Sequence, residues 1–291
     1  MKFAVSYSTT MFGVDPDHLA AFAQHAEACG FEGIYVPERV ALTTGDTFGG
    51  TELPVTLPYG APLDLLTYVA AATERILLGT GVLLLPYYHP VMLAKRLATI
   101  DVLSKGRMRL LTVGIGALPS EAVAAGVDFS TRGRRADEAI DVLRLLWSDE
   151  ADGASYSGEF FEFKNVHSFP KPLSRLPIHV GGSSRAAARR AGLRGDGYFA
   201  GGALMGDERA AQWDLAQTMA GDRTLDYTRW GSIELTPASL EAYAAQGVTR
   251  LVVGTSSPDP SEQRDQLSAF ADRFALSPST PSTPSTPSPP S

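Results

Sequence analysis

Short apolar runs of strand length alternate with stretches of helical spacing along almost the whole chain, and this alternation limits the fold more than any other feature. Phe3, Ala4 and Val5 open it as a strand running into Ser6, Tyr7 and Ser8. A helix follows, with Asp15 as N-cap, Pro16 in its first position and Gly30 just past its end. Leu19, Phe22, Ala23 and Ala26 give that helix one apolar face. Residues 33–36 read as a second strand, ending in charge at Glu38 and Arg39. The pattern recurs as helices over 62–75, 90–103, 134–147, 184–191, 207–219, 240–245 and 262–274. Further strands fall at 76–85, 108–115, 177–180, 197–200 and 251–253, with a weak one at 230–235 that Gly231 and Ser232 dilute. Such alternation predicts an α/β fold with a parallel sheet covered on both faces. Seven or eight units in a chain of this length match a (β/α)8 TIM barrel with loop insertions better than an open sheet.

One barrel domain is expected over 1–276, followed by a disordered tail at 277–291 that contains only Ser, Thr and Pro. A chain that is 44% hydrophobic and 20% charged is not disordered by composition. The greasiest stretch, 76–86, is interrupted by Gly79, Thr80 and Gly81, well short of the ~18 apolar residues of a membrane span. A net charge of −7 argues against bulk nucleic-acid binding. The single cysteine, Cys29, excludes an intrachain disulfide and a multi-cysteine metal site. No charged segment followed by an apolar core stands at the N-terminus, so a cytoplasmic location is expected.

No G-x-S-x-G, H-E-x-x-H or C-x-x-C motif occurs, and the five histidines are scattered, so no catalytic residue and no metal ligand is assigned. The strand ends carry the signal instead. Gly79 and Gly81 lie within one strand, and Gly114 and Gly116 end another. Gly181, Gly182, Ser183 and Ser184 lead from a strand into a helix, where free N–H groups and hydroxyls attract an anion, typically phosphate. Together they describe a flat, phosphorylated ligand lying on backbone at the C-terminal face. The long connection 40–61 follows a strand and is a candidate lid; 153–176 follows a helix, and padding or a role remain open for it.

Four blocks carry a resemblance: GFEGIYVPER at 30–39, TERILLGTGVLLLPYYHPVMLAKRLATIDVLSKGRMRLLTVGIG at 73–116, GVDFSTRGRRADEAIDVLRLLW at 126–147 and FPKPLSRLPIHVGGSSRAAARRAGLRGDGY at 169–198. In these the chain resembles the bacterial luciferase-like flavin or deazaflavin oxidoreductases. The resemblance implies a TIM barrel holding coenzyme F420, or FMN as the alternative, at its mouth. The phosphate would sit at Gly181, Gly182, Ser183 and Ser184, and the ring on Thr80, Gly81 and Val82, with a non-prolyl cis peptide at Gly81–Val82. Gly114 and Gly116 would give the cofactor clearance, and Glu38 joins the cofactor set. Many relatives have histidine where this chain has Arg39, and the sugar-phosphate dehydrogenase branch has glutamate where Ala117 falls; both departures argue against that branch's reaction. Luciferases place arginine where Ile115 falls, which argues against light emission and against FMN.

The leading reading is hydride transfer between F420 and a small organic substrate, with Arg39 and Tyr7 at the substrate. Arg39 would stabilise negative charge on a carbonyl or enolate; the alternatives are a salt bridge for Arg39 and a structural role for Tyr7. Other readings are an FMN-dependent monooxygenase, a degenerate barrel without turnover, and a sugar-phosphate isomerase or aldolase for which Glu38 is the one available base. The expected partner is a small molecule, with a homodimer permitted and neither nucleic acid nor membrane.

Overall fold

The computed structural model describes residues 1–149, 151–202 and 204–278. In chain order the elements are β1 (Lys2–Ser6), α1 (Thr9–Phe12), α2 (Pro16–Ala28), β2 (Gly33–Val36), β3 (Thr47–Phe48), β4 (Thr51–Glu52), α3 (Pro62–Ala72), β5 (Leu77–Thr80) and β6 (Leu83–Leu84). There follow α4 (Pro90–Leu103), β7 (Leu111–Gly114), α5 (Pro119–Ala124), α6 (Arg132–Trp147), β8 (Ala154–Ser157), β9 (Glu162–Val166), β10 (Ile178–Gly182) and α7 (Arg185–Arg194). The chain continues with β11 (Gly197–Ala200), α8 (Gly206–Ala220), β12 (Asp226–Ser232), α9 (Pro237–Ala245), β13 (Arg250–Gly254) and α10 (Pro260–Phe274).

Punctuation sets the helix ends. The Asp15 carboxylate accepts from His18 N at 2.8 Å, Pro16 takes the first position of α2, and Gly30 behind it has φ +88°. Proline also opens α3, α4, α5, α9 and α10, where its missing N–H costs nothing.

The main sheet runs β5-β2-β1-β13-β12-β11-β10-β7-β6, every pair parallel. Its two terminal members, β5 and β6, are halves of one strand broken at a cis Gly81–Val82 peptide, and Gly79 bridges to Leu110 just before β7. The sheet therefore closes on itself as an eight-stranded barrel. The strand expected at 76–85 is thus two pieces, with the break at the anticipated peptide. The weak strand placed at 230–235 lies earlier, as β12, and spans seven residues.

Side chains alternate between two cores. Val5, Ile34, Leu78, Val113, Val180 and Val253 face the helices, while Ala4, Tyr35, Leu110, Phe199 and Val252 fill the barrel axis. An ionic layer closes the N-terminal end: Arg250 Nε binds Glu32 at 2.6 Å and its Nη1 binds Asp226 at 3.3 Å, with His179 Nε2 3.7 Å from Asp226.

The connection 153–176 is not a loop throughout but carries the β8–β9 hairpin, which the Glu138 carboxylate pins to α6 through Glu159 N and Phe160 N. From Ser279 onward the 277–291 tail lies outside the described residues; Ser277 packs its backbone over Gly30. No helix among the described residues is long and apolar enough to cross a membrane, and no group of candidate metal ligands occurs among them.

Candidate active site at the barrel mouth

Glu38 follows β2 and is 8% exposed. Its carboxylate accepts from Leu84 N at 2.6 Å and from the Tyr88 hydroxyl, so it fixes the chain on the far side of the break between β5 and β6. Burial, reinforced by the nearby Glu121 carboxylate, pushes Glu38 up to about 7 against the pull of those two hydrogen bonds. Glu38 thus positions β6 and the turn after it.

The glycines of the strand ends leave room mainly for side chains of the protein. A methyl group added at Gly114 would stand 2.5 Å from Val82 Cγ2, and one at Gly181 would strike the same valine. One at Gly116, whose φ is +78°, would strike the Tyr87 hydroxyl. Next to Gly114 lies Val82, and next to Gly116 lies Tyr87. Gly81 differs. A methyl group there would meet Tyr35 at 3.5 Å and Trp230 at 3.9 Å, ordinary contacts, so this position alone among them accepts a methyl group without displacing a neighbour. Thr80 is fully buried, its hydroxyl donating to the Thr112 carbonyl at 2.7 Å. It braces the strand from within the wall.

On β10 the residues singled out lead from the strand into α7. Gly182 has φ +146°, and Ser183 and Ser184 are exposed. Ser184 caps α7, its Oγ accepting from Ala187 N at 3.1 Å. The N–H groups of the first turn before Ala187 have no intrahelical acceptor and point out of the helix end. The turn is held from below: the Tyr198 hydroxyl bridges the Gly182 carbonyl at 2.9 Å and the Gln212 side chain at 2.6 Å, and Gln212 Nε2 donates to the Ser183 carbonyl at 3.2 Å. An exposed helix N-terminus carrying two hydroxyls presents the donors and positive dipole end that attract anions.

Arg39 is paired. Its Nη1 donates to Glu121 Oε2 at 2.9 Å, while Glu121 Oε1 accepts from Val40 N at 2.7 Å. Glu121 is 1% exposed and comes from α5, a six-residue helix without a periodic signal, so sequence reasoning missed it. Arg39 Nε and the Tyr87 hydroxyl beside Gly116 are buried donors without a partner among the described residues. Arg132 supplies a further cation, Nε donating to the Gly116 carbonyl at 3.3 Å with its guanidinium over Phe129.

Loop 40–61 is anchored around this cluster. Asp46 accepts from Ser120 Oγ at 2.6 Å, Gly60 N donates to Thr9 Oγ1 at 3.0 Å, and Phe48 lies 5.9 Å from the Arg39 guanidinium. Tyr7 does not line the mouth. It is fully buried against Phe12, His18 and Phe22 on the helix side of β1, its hydroxyl 3.4 Å from His18 Nδ1, and burial raises its pKa to about 12. The wall residue that sequence reading overlooked is Trp230. Its ring centroid lies 4.9 Å from that of Phe199 with the planes tilted by 41°, and the side chain stays partly exposed and faces Gly81 and Gly202. A large aromatic residue at the C-terminal end of a barrel strand was the available signal.

The family model of the luciferase-like monooxygenases matches residues 1–274. Among characterised relatives, the chain is 32% identical over 203 residues to the F420-dependent glucose-6-phosphate dehydrogenase of Microbacterium testaceum, covering 68% of this chain and 56% of that enzyme. Among solved structures, an F420-dependent secondary alcohol dehydrogenase holding an F420–acetone adduct superposes with a TM-score of 0.76 at 16% identity, over 94% of this chain and 98% of the other. A monooxygenase from Streptomyces bottropensis superposes with a TM-score of 0.74 at 20% identity, over 94% and 99% of the two chains.

Proposed function

The chain belongs to the luciferase-like monooxygenase family, and from that premise we propose that it is an F420-dependent oxidoreductase, moving a hydride to or from a small organic substrate. The observation that carries this reading is the exposed N-terminus of α7 with Ser183 and Ser184, at the same barrel end as Gly81, where added side-chain atoms meet only ordinary contacts; this suits a group that carries a phosphate. The names of the relative and of one structural neighbour support the choice of F420.

Gly182, Ser183, Ser184 and the first turn of α7 would hold the phosphate, and Gly81 and Val82 the ring. A deazaflavin bound there supplies the carbon that gives or takes the hydride. The protein's part is orientation, charge and exclusion of water. Glu38 fixes the segment after Val82 through Leu84 and Tyr88. Arg39, neutralised on one side by Glu121 and with Nε unpaired, favours negative charge on a substrate oxygen. Trp230 forms an apolar wall for the substrate, and loop 40–61 covers it. The same reading carries a cytoplasmic location and a small-molecule partner; sedimentation would decide between monomer and homodimer.

One observation favours a second reading, an FMN-dependent monooxygenase: Arg132 brings to the end of β7 a cation that Ile115 does not provide. Titration with F420 and with FMN, followed by absorbance and fluorescence, separates the two. F420 is expected to bind more tightly, and Ser183→Glu to weaken it by more than about tenfold through like-charge repulsion. FMN binding at least about tenfold tighter would overturn the F420 assignment. Unchanged affinity in folded Ser183→Glu protein would move the phosphate elsewhere.

A further inference from the structure

β12 presents successive side chains to opposite sides. Trp230 faces the barrel mouth, whereas Tyr227 and Arg229 face the helical shell. Outside the strand a cavity of about 930 Å³ opens between α8 and α9. Its walls are aromatic: Trp213 stacks on Tyr227 with centroids 4.2 Å apart and planes 6° from parallel, and the Tyr243 ring lies 4.8 Å from the Arg229 guanidinium.

Two cations line this cavity. Arg229 is 9% exposed, and its Nη1 donates to the Gln246 side-chain oxygen at 2.6 Å. Arg209 donates to the Leu204 carbonyl, while its buried Nε has no partner among the described residues. Other enclosed arginines are neutralised or saturated. Arg39, Arg190 and Arg250 pair with Glu121, Asp137 and Glu32, and Arg107 is surrounded by oxygens of Ala70, Thr73, Ile76 and Ser104. Arg209 and Arg229 form no ion pair with a described carboxylate; Asp214 and Glu234 line the cavity but are exposed. Burial, with Arg209 nearby, lowers the pKa of Arg229.

We propose that this cavity is a second binding site, for a small organic anion with a flat apolar body, an aryl carboxylate or aryl phosphate. Planar guanidinium groups match carboxylate and phosphate oxygens, and the anion supplies the charge that Arg209 and Arg229 lack. Trp213, Tyr227 and Tyr243 give the flat body a surface to stack on. The site lies across β12 from the mouth and is independent of the proposed oxidoreductase reaction.

The full chain is titrated calorimetrically with 2-naphthoate and with 2-naphthyl phosphate, the two arms distinguishing the head groups, and with neutral 2-naphthamide. At least one anion is expected to bind saturably at one site per chain, and the amide about tenfold more weakly or worse. Arg229→Gln and Arg209→Gln should each weaken the anion about tenfold. Ser183→Glu should leave its affinity unchanged, which separates this site from the α7 terminus. The proposal is overturned if neither anion binds saturably, including because a second copy of the chain covers the cavity. It is equally overturned if the amide binds as tightly as the anions, or if Ser183→Glu abolishes binding. The amide comparison uses unaltered protein and does not depend on how the arginine variants fold.

Discussion

Replacing Glu38 with glutamine should stabilise the protein in mild alkali and leave it unchanged in mild acid. In the unfolded chain this carboxyl titrates near the ordinary 4.5, whereas in the folded protein burial pushes it up to about 7. Between those values the unfolded state binds fewer protons than the folded state, so stability falls as pH rises through them. At about 1.4 kcal/mol per pH unit, the interval from 4.5 to about 7 corresponds to about 3 kcal/mol, present below the lower value and lost above the upper. A glutamine resembles the protonated acid. Its carbonyl can still accept from Leu84 N, and its amide can donate to the Tyr88 hydroxyl. The variant should therefore match the parent near about pH 4.5 and exceed it by up to about 3 kcal/mol near about pH 8.5. His179 acts in the opposite direction. Burial, with Arg250 adding to it, holds His179 down at about 4, so its stability contribution is lost as pH falls from 6.5 toward that value. The two slopes oppose each other in the parent, but His179 is common to both proteins and cancels in their difference. Urea unfolding followed by circular dichroism across this pH range is the assay. Parallel stability profiles, or a variant no more stable at the alkaline end, would refute the reasoning.

Three further outcomes are expected. Gly114→Ala should cost about 1–3 kcal/mol, because its methyl group would stand 2.5 Å from Val82, whereas Gly81→Ala should stay within about 1 kcal/mol of the parent, its nearest contact being 3.5 Å; urea midpoints rank them, and the reverse order would contradict the packing. Arg39→Gln should cost about 3–5 kcal/mol by stranding the Glu121 charge, and Glu121→Gln added to it should recover much of the loss; a double variant no better than the single would show that the pair is not coupled. Trp230→Ala should leave the melting temperature nearly unchanged, since the ring is partly exposed, yet raise KM or lower kcat for whatever substrate is found; unchanged kinetics would remove Trp230 from the wall.

Local chemistry made much of the fold legible. Pro90 and the apolar spacing behind it define α4 from end to end, and Asp15, Pro16 and Gly30 define α2. What failed was local signal against tertiary context. β12 was placed too late because Thr228 and Arg229 give it no run of apolar residues, although both are buried, one inside the barrel and one under α9. The Glu121–Arg39 pair joins residues 82 apart and depends on a helix of one and a half turns. Tyr7 sits at a strand end, where twist decides which side it faces, and alternation alone leaves that choice open.

The glycines teach a more specific lesson. In the sequence, a strand end without side chains signals a ligand, because glycine permits close approach. At Gly114 and Gly181 the group that approaches is Val82, which enters the interior where β5 gives way to β6; Gly114 on the adjacent β7 and Gly181 on β10 one strand further must both be bare for it to fit. Glu38 holds the chain just beyond that valine through Leu84 and Tyr88. These residues on four strands or their ends are one device: Glu38 sets the position of the segment after the break, Val82 fills the axis, and Gly114 and Gly181 accommodate it. Gly81, between Tyr35 and Trp230, accepts a methyl group at ordinary contact distances, and the N-terminus of α7 is exposed. The glycine signal at these strand ends therefore has a structural cause in Val82. Gly114 and Gly181 thus serve the packing of Val82, and the proposed ligand is left Gly81 and the N-terminus of α7.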